Sequence, residues 1–430
     1  MNVAATLTDF ALEARPTDAA LAVLRLSLLD WACVGLAGAG EPVAGILHAQ
    51  ATEEGGTGQA ALIGSAQRAP ARMAALVNGT ISHALDYDDT HFAHIGHPSV
   101  AVIPAALAAA ELTGADAAQF QRAALIGVEA SIRVGIWLGR THYQTGFHQT
   151  GTAGAFGAAL AAGCLMGLDA GQMGHALGLV STRASGLKSQ FGTMGKPMNA
   201  GIAAANGIEA ACLAAKGFVS DPGALEDAQG FGPTHHGEGD MRGFDDIGTV
   251  WQFISVQHKF HACCHGLHAS LEALGQFDGV PEDVRAVEIT THPRWMSVCN
   301  IATPSTGLEA KFSYRMVTAM ALLGHDTALR ENFTDTLCRD ARVTALRDRV
   351  TVQADETLSE MQARVKITGQ GTDKSVFFHD LDADPGLSAR QARVQAKAAV
   401  LLGSERARDV WRMIETDKDL TRFVAALTGA

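Results

Sequence analysis

No run of lysine or arginine interrupts the acidic balance of this chain, whose formal net charge is −12 at pH 7. Binding a phosphate backbone takes a basic stripe, so nucleic acid is not an expected partner. The sign is also wrong for an anionic membrane surface. No apolar run reaches membrane length unbroken: the longest window, Leu21–Leu36, carries Arg25 and Asp30 and reads as a buried helix. Met1–Leu12 contains Asp9 and no basic n-region, so no secretory or transit segment is expected. The seven cysteines form no Cys-x-x-Cys pair, which speaks against a disulfide framework or zinc ribbon and for reduced thiols in a cytoplasmic protein. A Gly-x-Ser-x-Gly elbow is missing. Gly151, Gly154 and Gly157 look like part of a dinucleotide loop, but no strand precedes them and nucleotide binding is not expected.

What is present points to burial. Charged residues are 18% of the chain and apolar ones 47%, which implies large cores and a subunit interface. At 430 residues the chain exceeds one ordinary core, so two domains are expected. Up to about Trp251 the pattern is helix after helix. Pro16-Thr-Asp18 is a helix start, followed by Leu21, Leu24, Leu28 and Trp31 at helical spacing. Ala101–Leu112, Ala153–Met166 and Gly201–Lys216 are helices of Ala and Gly, suited to close packing. After about Gln252, alternation marks strands at Val284–Thr291, Val350–Ala354 and Ala363–Thr368, the last turning through Gly369-Gln-Gly371 into Lys374–His379. Helical runs Ala310–Leu323 and Asp335–Leu346 lie between them, and Gln391–Leu402 and Asp409–Leu427 return to helix. The expected fold is mainly α, a large all-helical domain (1–255 with 392–430) plus a smaller α+β domain (256–391).

The densest chemistry lies in Asp86, Asp88, Asp89, Thr90, His91, His94 and His97, just ahead of the apolar Val100–Leu112. Groups that titrate near neutral pH stay on solvated surface unless something selects their proximity. The spacing His91-x-x-His94-x-x-His97 admits a metal, but Gly96 and Pro98 oppose the continuous helix it needs. Helix-capping residues and an organic acid–base site are the other readings. His148 precedes a small-residue helix at Ala153, placed either to meet an anion or to cap that helix. Lys196 lies at the start of another such helix, as a point charge for a carboxylate or as an exposed loop residue. His258, His261, His265 and His268 share one face if their segment is helical, either as structural residues or as part of a substrate site. Carboxylates, imidazoles and ammonium groups together suit proton abstraction beside a carboxylate.

At these residues the chain resembles the MmgE/PrpD family. The resemblance rests on Asn78-Gly-Thr-Ile-Ser-His-Ala-Leu-Asp-Tyr-Asp-Asp-Thr90, His97-Pro-Ser99, Lys196-Pro-Met, Gly217–Glu226, Lys259 with Cys-Cys-His265, and Ala310-Lys-Phe-Ser313, in order along nearly the whole chain. It implies a homodimer and a metal-free, cofactor-free site between the domains, acting on a small polycarboxylate. By the same resemblance Asp86, Thr90, His97, His148, Lys196 and Lys259 fall on site positions, with His265 or Cys264 near another. Lys196, Lys259 and His97 would hold substrate carboxylates, His148 would transfer the proton, Asp86 would orient an imidazole, and Thr90 would donate a hydrogen bond. Three departures bear on the substrate. Met316 stands where an aromatic hydroxyl is common, His261-Ala262 replaces an aromatic-Pro pair, and Asn199 stands where some members carry His.

The expected activity is a hydro-lyase like 2-methylcitrate dehydratase, with an iminodisuccinate-type epimerase next and a cis-aconitate-type decarboxylase third. A metal-dependent hydrolase or lyase is the reading from a different class.

Overall fold

The computed structural model describes residues 2–369, 374–383 and 385–428. The chain folds as two compact units: Met1–His258 with Arg390–Ala430, and Lys259–Ala389.

The first unit is mainly helical. Its centre is the helix Gln149–Met166, buried without interruption from Gln149 to Gly163. Helices Pro98–Thr113, Ala117–Thr145 and Gly195–Ala215 surround it. A helix made of Ala and Gly lets neighbouring axes come close. At Gly157 an added Cβ would lie 2.3 Å from the carbonyl oxygen of Gly127, so only glycine fits that crossing. The helix Asp18–Gly38 begins where Pro16-Thr-Asp18 predicts, with Thr17 accepting from the amide of Ala20 at 3.2 Å. Among the described residues it alone is long and apolar enough to cross a membrane, and it is mostly buried inside the fold.

Two stretches depart from the unbroken helical pattern. Ala60–Leu62 pairs antiparallel with Ser65–Ala69 as a small hairpin. Between Ala215 and His258 the chain carries only short turns, such as Phe231–Thr234, Met241–Phe244 and Gln252–Ser255, where glycines and prolines interrupt any helical period.

The second unit holds a four-stranded sheet in the order Val350–Ala354, Ala286–Thr291, Gln362–Thr368, Lys374–Asp380. The first pairing is parallel and the others antiparallel. Val287, Ile289 and Thr291 face inward, as alternation predicts. Gln370 and Gly371 of the expected turn lie outside the described residues. Two expected helices are each split by a residue whose side chain caps a new start. Ser313 separates Gly307–Ala310 from Tyr314–Leu322, and Asp340 separates Asp335–Cys338 from Ala341–Arg347. The run Asp409–Leu427 is likewise two helices, Ser404–Thr416 and Thr421–Thr428.

Candidate active site

Residues 84–97 join the helix Ala71–His83 to the helix Pro98–Thr113. The connection cannot be helical. Asp86 and Ile95 adopt φ of 51° and 55°, a left-handed backbone costing roughly 1–2 kcal/mol per non-glycine residue. Pro98 opens the next helix at its first position, where the missing N–H leaves no intrahelical bond unmade. Two isolated antiparallel bridges close the loop, Thr90 with Gln257 and His91 with Gly96. The loop therefore returns on itself, and side chains from both of its ends converge.

Asp88 is at the centre of that convergence. Its Oδ1 lies 2.9 Å from His83 Nδ1 and its Oδ2 lies 2.8 Å from His97 Nδ1. Burial alone would raise its pKa, but the two imidazoles outweigh burial and hold the carboxyl well below its usual range. The other nitrogen of His97 is 3.3 Å from Asp86 Oδ1, and Lys196 Nζ is 2.7 Å from that same oxygen. Two nitrogen donors, the Lys196 ammonium and the His97 ring, thus meet on one carboxylate oxygen. With a carboxylate at each ring nitrogen of His97, a proton on both is the state both contacts favour.

His148 is the N-terminal cap residue of the helix Gln149–Met166, yet its side chain makes no capping bond. The ring instead lies 5.9 Å from His83 and 5.0 Å from Phe191, centroid to centroid. The amide Nδ2 of Asn199 donates to His148 Nδ1 at 3.1 Å and to the carbonyl of Leu187 at 3.3 Å. The Leu187 carbonyl can only accept, so the nitrogen side of the amide faces His148, and the ring's hydrogen sits on Nε2. Burial, then His83, Lys196 and His97, push the pKa of His148 well below its ordinary value; only Asp86 opposes them. This imidazole is neutral.

His83, Asp86, Asp88 and His97 each offer a ligand atom, all within 4.8 Å of one another. That donor set suits a zinc-like ion. Among the described residues neither the His91/His94/His97 set nor the His258–His268 face forms a group of this kind.

Asp86, His97 and Lys196 are in direct contact and His148 is close beside them. Thr90 sits on the same loop, fixed through its backbone N–H to Gln257 O at 2.9 Å. Lys259, Cys264, His265 and Met316 belong to the second unit. Lys259 and His265 are buried there, and Met316 is a wholly buried packing position on Tyr314–Leu322. Cys264 donates its amide to Lys311 O at 3.0 Å and precedes the short turn His265–Leu267. Tyr314 is a core residue, its hydroxyl bonded to Gly266 O at 2.6 Å.

His258–His268 is irregular and not one helix, so the shared face does not form. His258 bonds Ser27 Oγ at 3.1 Å in the first unit. His265 and His261 instead flank His268 in the second, with ring centroids 4.5 and 5.0 Å away. His91 is structural: its Nε2 faces Gln252 O at 3.0 Å while Nδ1 accepts from His94 N, and burial pushes its pKa down to about 4. His94 fills a niche against Gly135 and Gly96, with its pKa down to about 3 by burial, then His91 and His97.

Sequence reasoning misses His83, names Asp88 in the cluster without giving it a role, and treats Asn199 only as a departure. The signal was present, since His83 and Asp88 stand in the same quoted motif as Asp86.

Residues 5–242 match the MmgE/PrpD N-terminal domain and residues 261–415 the MmgE/PrpD C-terminal domain. Among curated proteins, the chain is 30% identical over 293 residues to a cis-aconitate decarboxylase-like protein of Aspergillus oryzae, covering 64% of this chain and 61% of that one. It is 26% identical over 411 residues to a cis-aconitate decarboxylase of Aspergillus terreus, covering 83% of each. It is also 33% identical over 173 residues to the cis-aconitate decarboxylase of Homo sapiens, covering 38% of this chain and 35% of the human one. With both domains matched in order across most of its length, the chain belongs to the MmgE/PrpD family.

Proposed function

We propose that this protein is a lyase that moves a proton at a carbon beside a carboxylate of a small di- or tricarboxylate, with no bound cofactor. The observation that carries this reading is the convergence of Lys196 and His97 on one oxygen of Asp86. The Lys196 ammonium keeps hydrogens beyond the one on Asp86, which a substrate carboxylate or an enediolate oxygen can take up, and charge that develops there meets a donor already in place.

The names of the relatives favour decarboxylation of a cis-aconitate-like acid over dehydration of a β-hydroxy acid such as 2-methylcitrate. Epimerisation comes third. In the decarboxylation the C–C bond to the departing carboxylate breaks, CO2 leaves, and the electron pair is delocalised onto a remaining carboxylate as an enediolate. Lys196 stabilises that charge. His97, protonated at both nitrogens, returns one proton to carbon, and Asp88 with His83 behind it keeps the ring oriented. The family resemblance gives His148 the proton transfer, as an imidazole that ordinarily titrates near neutral pH. As a neutral ring carrying its hydrogen on Nε2, it serves better as a fixed hydrogen-bond donor to the substrate. Thr90 is a further donor. The roles of Lys259, Cys264 and His265 rest on the family pattern alone.

Incubation with cis-aconitate, citrate, 2-methylcitrate and aspartate-like acids in deuterated water, followed by NMR, tests this. Loss of CO2 with one deuterium gained on carbon is the expected result. An alkene formed from a hydroxy acid would move the reading to dehydration, and solvent exchange without net conversion to epimerisation. Silence with every acid would overturn it.

A further inference from the structure

Behind the site loop lies a buried lysine that the proposed chemistry does not use. Lys397, on the helix Leu387–Leu402, reaches Asp30 Oδ1 at 2.6 Å and the carbonyl oxygen of Tyr87 at 2.5 Å. Its ammonium also sits 4.0 Å above the Tyr87 ring, and the side chains of Lys397 and Asp30 are only 2% and 1% exposed. A buried ion pair adds little to stability that well-packed apolar side chains would not. What an apolar side chain cannot do is hold a carbonyl. The peptide held here joins Tyr87 to Asp88, and the preceding residue is Asp86 with its left-handed backbone. The direction of that peptide sets where both carboxylates point.

The same helix grips the loop at a second point. Arg390 lies seven residues before Lys397, two helical turns, so both side chains share one face. Its Nη1 donates to Ile254 O at 3.0 Å, Nη2 donates to Val256 O, and Nε donates to His258 Nδ1 at 3.2 Å. The next residue in that segment, Gln257, exchanges both backbone hydrogen bonds with Thr90, at 2.9 and 2.7 Å. Lys397 thus fixes the loop at Tyr87, and Arg390 fixes it through 254–258 at Thr90.

We infer that the helix Leu387–Leu402 is the positioning element of the site loop, with Lys397 and Arg390 as positioning residues that aim Asp86, Asp88 and Thr90. The inference rests on the reading of those loop residues as the active site. Neither positioning residue touches substrate. Removing the Lys397 ammonium frees the Tyr87–Asp88 peptide to turn and lets Asp86 leave its strained backbone, and Lys196 and His97 then lose the oxygen on which they meet.

The test compares wild type, Lys397→Met, and the double variant Asp30→Asn/Lys397→Met, with two readouts. The double variant removes both charges of the buried pair, so it keeps the test open if the single variant does not fold. The first readout is kcat, KM and the pH profile on the acid that wild type converts. The second is the histidine ring signals in NMR of protein labelled at the imidazole carbons, which needs no activity. The expected result is a kcat at least tenfold lower with KM within threefold, a shifted limb in the pH profile, and moved signals for His83 and His97. Folded variants with wild-type kcat, pH profile and ring signals would overturn the inference, as would a change confined to KM. If wild type converts no acid yet the ring signals move, the positioning role stands and the lyase reading falls.

Discussion

His83 Nδ1 and Asp88 Oδ1 meet at 2.9 Å with both side chains sealed from water, and this contact places a structural residue directly behind the proposed acid, His97. Asp88→Asn keeps the shape but replaces one oxygen with a donor, facing a ring nitrogen with the wrong partner. We expect kcat to fall on the order of 10²-fold, within the range attributed to acid–base groups, with substrate affinity nearly unchanged. Steady-state kinetics on the acid identified by NMR will check it. Because the folded Asp88 pKa lies below its unfolded value, the carboxylate contributes stability above about pH 4 that is lost as pH falls through the folded value. The variant should lack that part of the acid transition in urea titrations.

Lys196→Ala should lower kcat/KM by about 10²-fold, as expected when one fixed donor to a developing oxyanion is removed, while Lys196→Arg restores part of the loss. Dialysis against a chelator should leave wild-type activity intact. Stoichiometric zinc or iron in the purified protein, with activity lost to chelator, would instead assign His83, Asp86, Asp88 and His97 as a metal site.

His91 makes a prediction of opposite origin. Its folded pKa is pushed down to about 4 by burial, from an ordinary value of 6.5. Between those values the unfolded chain takes up a proton that the folded protein refuses, so stability falls as pH drops from 6.5 to 4, by ~3 kcal/mol. His94 adds to the loss in the same direction. His91→Gln keeps a donor for Gln252 O without a titrating ring. Its unfolding midpoint should depend less on pH across this window than that of wild type.

Gly157→Ala places a methyl 2.3 Å from the backbone carbonyl of Gly127, which cannot swing aside as a side-chain end would. The helix-propensity gain of about 1 kcal/mol is smaller than overpacking of this severity, so we expect a net loss of ~2 kcal/mol. Chemical denaturation reads it directly, and an unchanged or raised midpoint would show that the two helices separate without strain.

The small-residue helices and the alternating strands were legible because their periods are local properties of the chain. The hairpin Ala60–Ala69 was not, since its short, Ala-rich strands carry none of the β-branched or aromatic residues that mark one. Ser313 and Asp340 broke expected helices because a side chain that can cap competes with helix continuation, and the sequence does not show which side prevails. At the site, Asp86, His97, His148 and Lys196 stand out in the sequence as titratable residues beside apolar helices, and the fold brings them close. His83 was hidden as the last residue of a helix, and the role of Asn199 depended on a carbonyl at Leu187 that no local pattern indicates. Lys397 lay furthest from view, inside an otherwise ordinary amphipathic run.

The bond from Lys397 to Tyr87 spans 310 positions of the chain. A polypeptide leaving the ribosome therefore exposes the whole loop 84–97 long before the residue that fixes it has been made. Contacts of such sequence separation form late and slowly, so the loop should be among the last parts of the first unit to reach its native shape. A chain stalled before Lys397 is synthesised would carry Asp86, His97, His148 and Lys196 and still lack the contact that fixes their loop.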